Sequence, residues 1–423
     1  MIFDEFMIDK AFERLAAAYG AEIERQDKTV ELIASENFVS DDVLEALGSC
    51  FTNKYSEGYP RVRHDGVGAH GRYYGGCEHI DEVEELCCEL WQNVFNTNYH
   101  VNVQPHSGSQ ANFAAYMSVL NTGDTILAMS LNNGGHLTHG SPVNFSGKLY
   151  NVEFYNVDPN GLIDYKDVED KVREFHPKLV LAGASAYSRV IDFEKFSDIT
   201  HKFSTEDYSP LFMVDMSHIA GLVATGFHPS PFTYADIITT TTHKTLRGPR
   251  GGMIFCKPEL AAKVDKAVFP CSQGGPLQNV ILAKAVCALE ALEPDYKEYI
   301  GQVAKNASAM ASEFVKMGYD VVTGGTDNHM FLLDFTNNFP NLSGKEVQDY
   351  LDSKGITLNK NCVPDEKRSP VLTSGVRIGT PAMTTKGWTE AEFIRCAHEI
   401  DKYIRGLADR HADDDLIGRE VKK

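Results

Sequence analysis

A lysine stands where a β-strand runs out. The stretch Thr239–Gly252, TTTTHKTLRGPRGG, sets four β-branched residues before His243 and Lys244 and follows them with glycine, proline and arginine. β-Branched residues favour pleated backbone, and Gly and Pro punctuate it. Lys244 therefore falls at a strand end, the edge at which α/β enzymes place their chemistry.

Two other motifs bear on that lysine. LFMVDMSHIAG is an apolar strand that ends in Asp215, with His218 close behind. A carboxylate at such a depth is costly without a partner. NVQPHSGSQANFAAYM reads as a strand, the turn Ser107-Gly108-Ser109 and a helix. Free N–H groups and two hydroxyls then converge on a helix N-terminus, which suits a phosphate. Taken alone the turn is an ordinary serine cap. A strand-end amine, a buried acid and a phosphate cradle together describe a pyridoxal phosphate site, with lysine as covalent anchor, the acid on the pyridine nitrogen and the amides on the phosphate.

The elements that position these groups alternate. TILAMS, LVLAGAS, LFMVDMS, DIITTTT and GGMIFC read as strands between helical stretches, which predicts an α/β unit with a mostly parallel sheet. The pattern is helical from Asp9 to Ile33, and SDDVLEALGSC starts a helix with Ser40 as its cap. Val280 to Leu292 is helical before EPDY. MGYDVVTGG, HMFLLDF, GITLNK and VRIGT then give a smaller α+β unit. The division expected is an N-terminal helical arm over 1–45, a large cofactor-binding domain over 46–292 and a small C-terminal domain over 293–423.

With 423 residues the chain is long enough for two or three domains. Its 40 basic and 59 acidic residues give a net charge of −19, which repels nucleic acid and anionic membrane surfaces. No apolar run is long enough to span a bilayer, and MIFDEFMIDKAFERL carries acids where a signal peptide carries bases. Nine cysteines without a C-x-x-C pair fit free thiols in a reducing compartment, so the expectation is a cytoplasmic protein.

The motifs ELIASENF, TNKYSEGYP, RYYGGCEHID, VQPHSGSQAN, GGHLTHGSPVNFSGK, VDMSHIAGL, TTTTHKTLRGPRGG, QGGPL, NKNCVP and SGVRIGTPA resemble, in this order, those of the serine hydroxymethyltransferase family, from about Ile33 to the C-terminus. The resemblance implies the pyridoxal-phosphate-dependent transferase fold (fold type I), with a seven-stranded sheet in the large domain. It implies transfer of the serine hydroxymethyl group to tetrahydrofolate in a homodimer with shared active sites, and no metal.

Residue by residue, the resemblance makes Lys244 the covalent anchor and Asp215 the partner of the pyridine nitrogen. His136 would stack on the ring. Ser107, Gly108 and Ser109 would hold the phosphate, helped by Gly274 and Gly275 from the neighbouring subunit. Ser185 and His218 would lie near the phenolic oxygen. Arg377 would grip the amino-acid carboxylate, a task for which the guanidinium fork suits better than lysine. Ser35, Tyr55 and Tyr74 would complete the pocket, the tyrosines from across the interface, with Tyr55 also on the cofactor. Glu57 would handle the proton of the transferred group. Thr241 would tune exchange at the lysine, with His243 beside it. Tyr73, Leu131, Gly135 and Asn361 would border the folate.

Two departures stand out. Arg61 to Gly71, RVRHDGVGAHG, intervenes between Glu57 and Tyr73 and reads as a lid over the folate entrance or as a plain surface loop. Asn279 stands where the family commonly has histidine. The rivals are an aldol-cleaving relative of the same fold, acting on threonine or α-methylserine, and a non-catalytic binding protein on this scaffold.

Overall fold

The computed structural model describes residues 5–60 and 71–420, with side chains described over 10–60 and 71–410. Of the intervening segment only Gly71 is described, so the lid reading lies outside the described residues. In chain order the strands are β1 (Val30–Glu31), β2 (His100–Asn102), β3 (Thr125–Met129), β4 (Asn151–Tyr155), β5 (Leu179–Ala182), β6 (Leu211–Asp215), β7 (Ile237–Thr241), β8 (Gly252–Cys256), β9 (Asp320–Val321), β10 (Met330–Asp334), β11 (Ile356–Thr357), β12 (Asn359–Asn361) and β13 (Gly375–Gly379).

Seven strands form one sheet in the order β2-β8-β7-β6-β5-β3-β4. The pairs from β4 through β7 are parallel, and β8 runs antiparallel to both β7 and β2. The central strands are buried along their whole length, as LVLA in β5 and IITTT in β7 show, because helices cover both faces. On one face the helices Glu78–Phe95, Tyr165–Phe175, Phe193–His201 and Gln278–Leu292 share a core around Trp91, Phe196 and Phe212. On the other, Gly108–Val119 and Ala261–Lys266 pack around Tyr116 and Met213.

The five strands read in this region of the sequence are all present. The strand read before the Ser107 turn is β2, which lies at His100–Asn102, two residues earlier than NVQ places it; β4 was not legible, because its half-covered edge position mixes Asn and Glu with its apolar residues. The helical pattern read from Asp9 to Ile33 also needs correction: the helix spans Glu5–Lys28 and the chain then becomes β1. Tertiary contacts override propensity there. β1 pairs in parallel with β11, and Leu32 donates its N–H to Thr357 O (2.8 Å) and accepts from Gly379 N (2.8 Å).

A second, antiparallel sheet runs β12-β13-β10-β9 and shares a separate core with the helices Pro294–Lys316, Gly344–Asp352 and Glu390–Glu420. Leu32 belongs to that core. On this packing we propose a division near Leu292, with residues 30–34 added to the second unit.

Gly379 follows Arg377 by two positions on β13, and a Cβ there would lie 2.3 Å from Ala34 Cα. Only glycine lets the segment that leads into Ser35 lie against β13. Gly379→Ala should therefore push this segment away and lower stability by about 1–3 kcal/mol, measured by urea unfolding. A wild-type midpoint would contradict the close packing.

Candidate active site

A cavity of about 690 Å³ opens at the carboxyl edge of β3, β5, β6 and β7 and is closed from the other side by β12 and β13. From β3 come Leu131, Gly135 and His136, from β5 Ser185, from β6 Asp215 and His218, and from β7 Thr241, His243 and Lys244. Ser107, Gly108 and Ser109 follow β2; Ser35 arrives with the N-terminal segment; Asn361 and Arg377 come from the second sheet. Fifteen positions picked from the sequence thus converge on one space.

Asp215 is held by four donors. Asn112 Nδ2 (2.9 Å) and His139 Nε2 (3.1 Å) donate to one oxygen, and Ser217 N (3.1 Å) and Oγ (2.6 Å) to the other. Burial by itself would raise this carboxyl. The hydrogen bond and electrostatic pull of the His139 imidazole, the pull of His136 and the Asn112 bond outweigh it and hold the group well below the usual carboxylate range. His139 accepts at Nδ1 from His136 N (3.2 Å), which leaves its Nε2 hydrogen for Asp215. A fixed anion at this strand end can hold a proton on a facing ring nitrogen.

Lys244 is buried, and burial pushes its amine down to about 8, with Asp215 opposing that shift and Arg377 and Arg250 adding to it. No hydrogen bond to its Nζ is found among the described residues, so the amine is free to react once neutral. The glycines after it are packing requirements. A Cβ at Gly248 would lie 2.4 Å from Cys287 Sγ, and Thr242 reaches over the turn to donate to Pro249 O (2.5 Å).

Arg377 is a buried cation without a carboxylate partner among the described residues. It donates from Nε to Asn359 Oδ1 (3.0 Å) and from one terminal nitrogen to Ser185 O (2.6 Å), both neutral acceptors, and burial lowers it to about 10. Such a charge calls for an anion. His218 Nδ1 meets His329 Nε2 at 3.2 Å, and burial keeps both imidazoles neutral at physiological pH. Thr241 Oγ1 and His243 Nδ1 are buried without a partner. Ser107 caps its helix, accepting from Gln110 N (3.3 Å), as the plain reading of that turn expected.

Six of the expected residues are elsewhere. Tyr55, Glu57, Tyr73, Tyr74, Gly274 and Gly275 do not line the cavity; they form a second cluster. Tyr55 and Tyr74 meet edge to face with centroids 5.1 Å apart, Tyr73 and Tyr74 at 5.4 Å, and Tyr55 Oη donates to Glu57 Oε1 (3.4 Å). A Cβ on Gly274 would lie 3.2 Å from Glu57 Oε1, and one on Gly275 3.3 Å from the Tyr55 ring. Tyr73 is 81% exposed and Tyr55 55%, high values for rings with so much apolar area. Beneath them Arg72 is buried: it pairs with Asp81 (2.8 Å) and Glu84 (2.7 Å) and donates to the carbonyls of Ser56 (3.0 Å) and Gly58 (2.8 Å), on either side of Glu57.

Asn112, His139 and His329 were not singled out from the sequence. Asn112 lies one turn into the helix of the Ser107 turn, and His139 three residues past His136, so position offered a signal for both. His329 could not be paired with His218 before the two units were assembled. Asn279, the departure from the family pattern, donates to Leu47 O (2.8 Å).

The doubly covered sheet and the amine, acid and serine turn at its carboxyl edge define a fold type I pyridoxal-phosphate-dependent enzyme. The residues fit that cofactor, since an unbonded buried amine, a pinned carboxylate and the orphaned Thr241 hydroxyl all lie on one cavity. The family model of serine hydroxymethyltransferase matches residues 8–400, and the chain belongs to that family of transferases. No helix among the described residues is long and apolar enough to cross a membrane.

The depressed amine gives a test. In cofactor-free protein the fraction of neutral Lys244 rises through about pH 8, whereas an ordinary lysine titrates near 10.5. The rate of covalent capture of pyridoxal phosphate should therefore level off above about pH 9. A rate that keeps climbing beyond pH 10 would show an unperturbed amine.

Proposed function

We propose that the chain transfers the hydroxymethyl group of serine to tetrahydrofolate, reversibly, giving glycine and 5,10-methylenetetrahydrofolate. The observation that carries this reading is Arg377, an uncompensated buried guanidinium facing the same cavity as Lys244 and Asp215. It fits the carboxylate of an amino acid, and the family supplies the reaction class.

Bound pyridoxal phosphate supplies an electron sink for the carbanion left at the amino acid's Cα. Asp215 would keep the pyridine nitrogen protonated, and His136 would cover one ring face. Ser107, Gly108 and Ser109 offer hydrogen bonds to the phosphate, with the helix N-terminus behind them. Arg377 and Ser35 hold the substrate carboxylate, and Lys244 presents a neutral amine for exchange with the substrate's own. Ser185 and His218, on the same cavity, would lie near the phenolic oxygen. Leu131, Gly135 and Asn361 line the same cavity and would border a pterin.

Glu57 handles the proton released from the hydroxymethyl oxygen and the later loss of water. Because it sits in the outlying cluster, we place it, with Tyr55, Tyr73, Tyr74, Gly274 and Gly275, in the cavity of a second copy. The helix Glu5–Lys28 supports a dimer: Phe12, Leu15, Tyr19 and Ile23 are all more than half exposed and recur at helical spacing on one face. All nine cysteines are free thiols, which suits a cytoplasmic location.

The test supplies serine with and without tetrahydrofolate and follows glycine. Folate-dependent glycine release supports the proposal; threonine cleavage that ignores folate would favour the aldolase reading. Arg377→Ala should raise the apparent KM for serine about a hundredfold, the equivalent of about 3 kcal/mol, and an unchanged KM would make Arg377 structural. Glu57→Gln keeps shape but cannot exchange a proton, so it should bind glycine normally while folate-dependent transfer falls at least about a hundredfold. Retained transfer would remove Glu57 from the reaction.

A further inference from the structure

Lys284 is a fully buried cation that the proposed chemistry leaves unused. It lies on the helix Gln278–Leu292 and is 1% exposed. An ammonium group at that depth is costly unless each hydrogen finds an acceptor. It has three hydrogens, and three carbonyl oxygens receive them: Val103 (2.6 Å), Pro105 (3.1 Å) and Gly252 (2.8 Å).

Those carbonyls are not scattered. Val103 and Pro105 lie on the segment that leads from β2 into Ser107, and Gly252 is the first residue of β8. Because β8 runs against its neighbours, its start lies at the same edge as the carboxyl ends of the other strands. Gly252 N also donates to Pro105 O (3.1 Å). The seam has no slack: a Cβ on Gly252 would come 2.4 Å from Ser107 O, and one on Gly251 would come 2.5 Å from Lys284 Cε. Through Gly251 O, which accepts from Thr242 N (3.2 Å), the same seam reaches the turn that bears Lys244.

We propose that Lys284 is a positioning residue for the phosphate cradle: its ammonium fixes residues 103–108 against the start of β8, so that the Ser107-Gly108-Ser109 turn is held ready for an anion. Its charge also reaches His106, the residue before the turn, where, after burial, it is the next influence that lowers the imidazole. A positive charge beneath the turn favours a phosphate above it. The inference rests on reading that turn as the phosphate site of pyridoxal phosphate.

The test compares two ligands that share the ring and aldehyde and differ in the phosphate. Dissociation constants of cofactor-free protein for pyridoxal phosphate and for pyridoxal are measured by the visible absorbance of the bound ring, and folding by thermal unfolding. Lys284→Met keeps the apolar stem and removes the charge. It should weaken pyridoxal phosphate about tenfold or more and pyridoxal less than about twofold, so that the ratio between the two collapses.

A structural role alone would lower the melting temperature and weaken both ligands alike, leaving the ratio as in wild type; that result overturns the proposal. Should Lys284→Met fail to fold, Gly251→Ala displaces the lysine stem without deleting the charge. A several-fold fall in the same ratio is expected there, and a wild-type ratio overturns the proposal equally. If wild-type protein itself shows no preference for the phosphorylated ligand, the reading of the turn fails, and the assignment of Lys284 with it.

Discussion

The ionised carboxylate of Asp215 is the interaction around which the cavity is assembled. Its four donors belong to three residues, Asn112, His139 and Ser217, and each residue is fixed by a further bond. Asn112 accepts from Thr239 Oγ1 (2.6 Å) and donates to Thr138 Oγ1 (2.8 Å). Ser217 Oγ accepts from Thr241 N (3.1 Å), at the end of the strand that leads to Lys244. His139 is oriented by the backbone of His136. One buried anion thus registers β6, β7, the helix after the serine turn and the loop after β3. Removing it would leave several buried donors aimed at an unsuitable partner, a costly arrangement in a low-dielectric interior.

The second unit completes the site by adding charge of the opposite sign. Arg377 crosses to Ser185 O, and His329 meets His218, so these two of the contacts between units end on cavity residues. The three buried charges Asp215, Lys244 and Arg377 face one space. Their arrangement accounts for the depressed lysine: burial acts first, Asp215 opposes it, and Arg377 and Arg250 add to it.

Much of this was legible in the sequence because the signals are local. Strand ends announce Asp215 and Lys244, and the serine turn announces a helix N-terminus. What was hidden depends on distant partners. Val30–Glu31 read as helix because its strand mate, Ile356–Thr357, lies far along the chain. Lys284 was not singled out within the helical stretch Val280 to Leu292, and only the carbonyls of Val103, Pro105 and Gly252 give it a role. The separation of Glu57 from the cavity was equally invisible, since motif order says nothing about which copy a loop serves.

On the function proposed above, two half-sites, one built around Asp215 and Lys244 and one around Glu57, would meet between copies. Mixing two inactive variants under subunit exchange tests this most directly. A protomer with Lys244→Ala still offers Glu57, and one with Glu57→Gln still offers Lys244. In randomly mixed dimers half are mixed pairs with one intact site of two, so about a quarter of wild-type folate-dependent activity should return. Activity that stays at the level of the separate variants would contradict the shared site and place the whole reaction within a single chain.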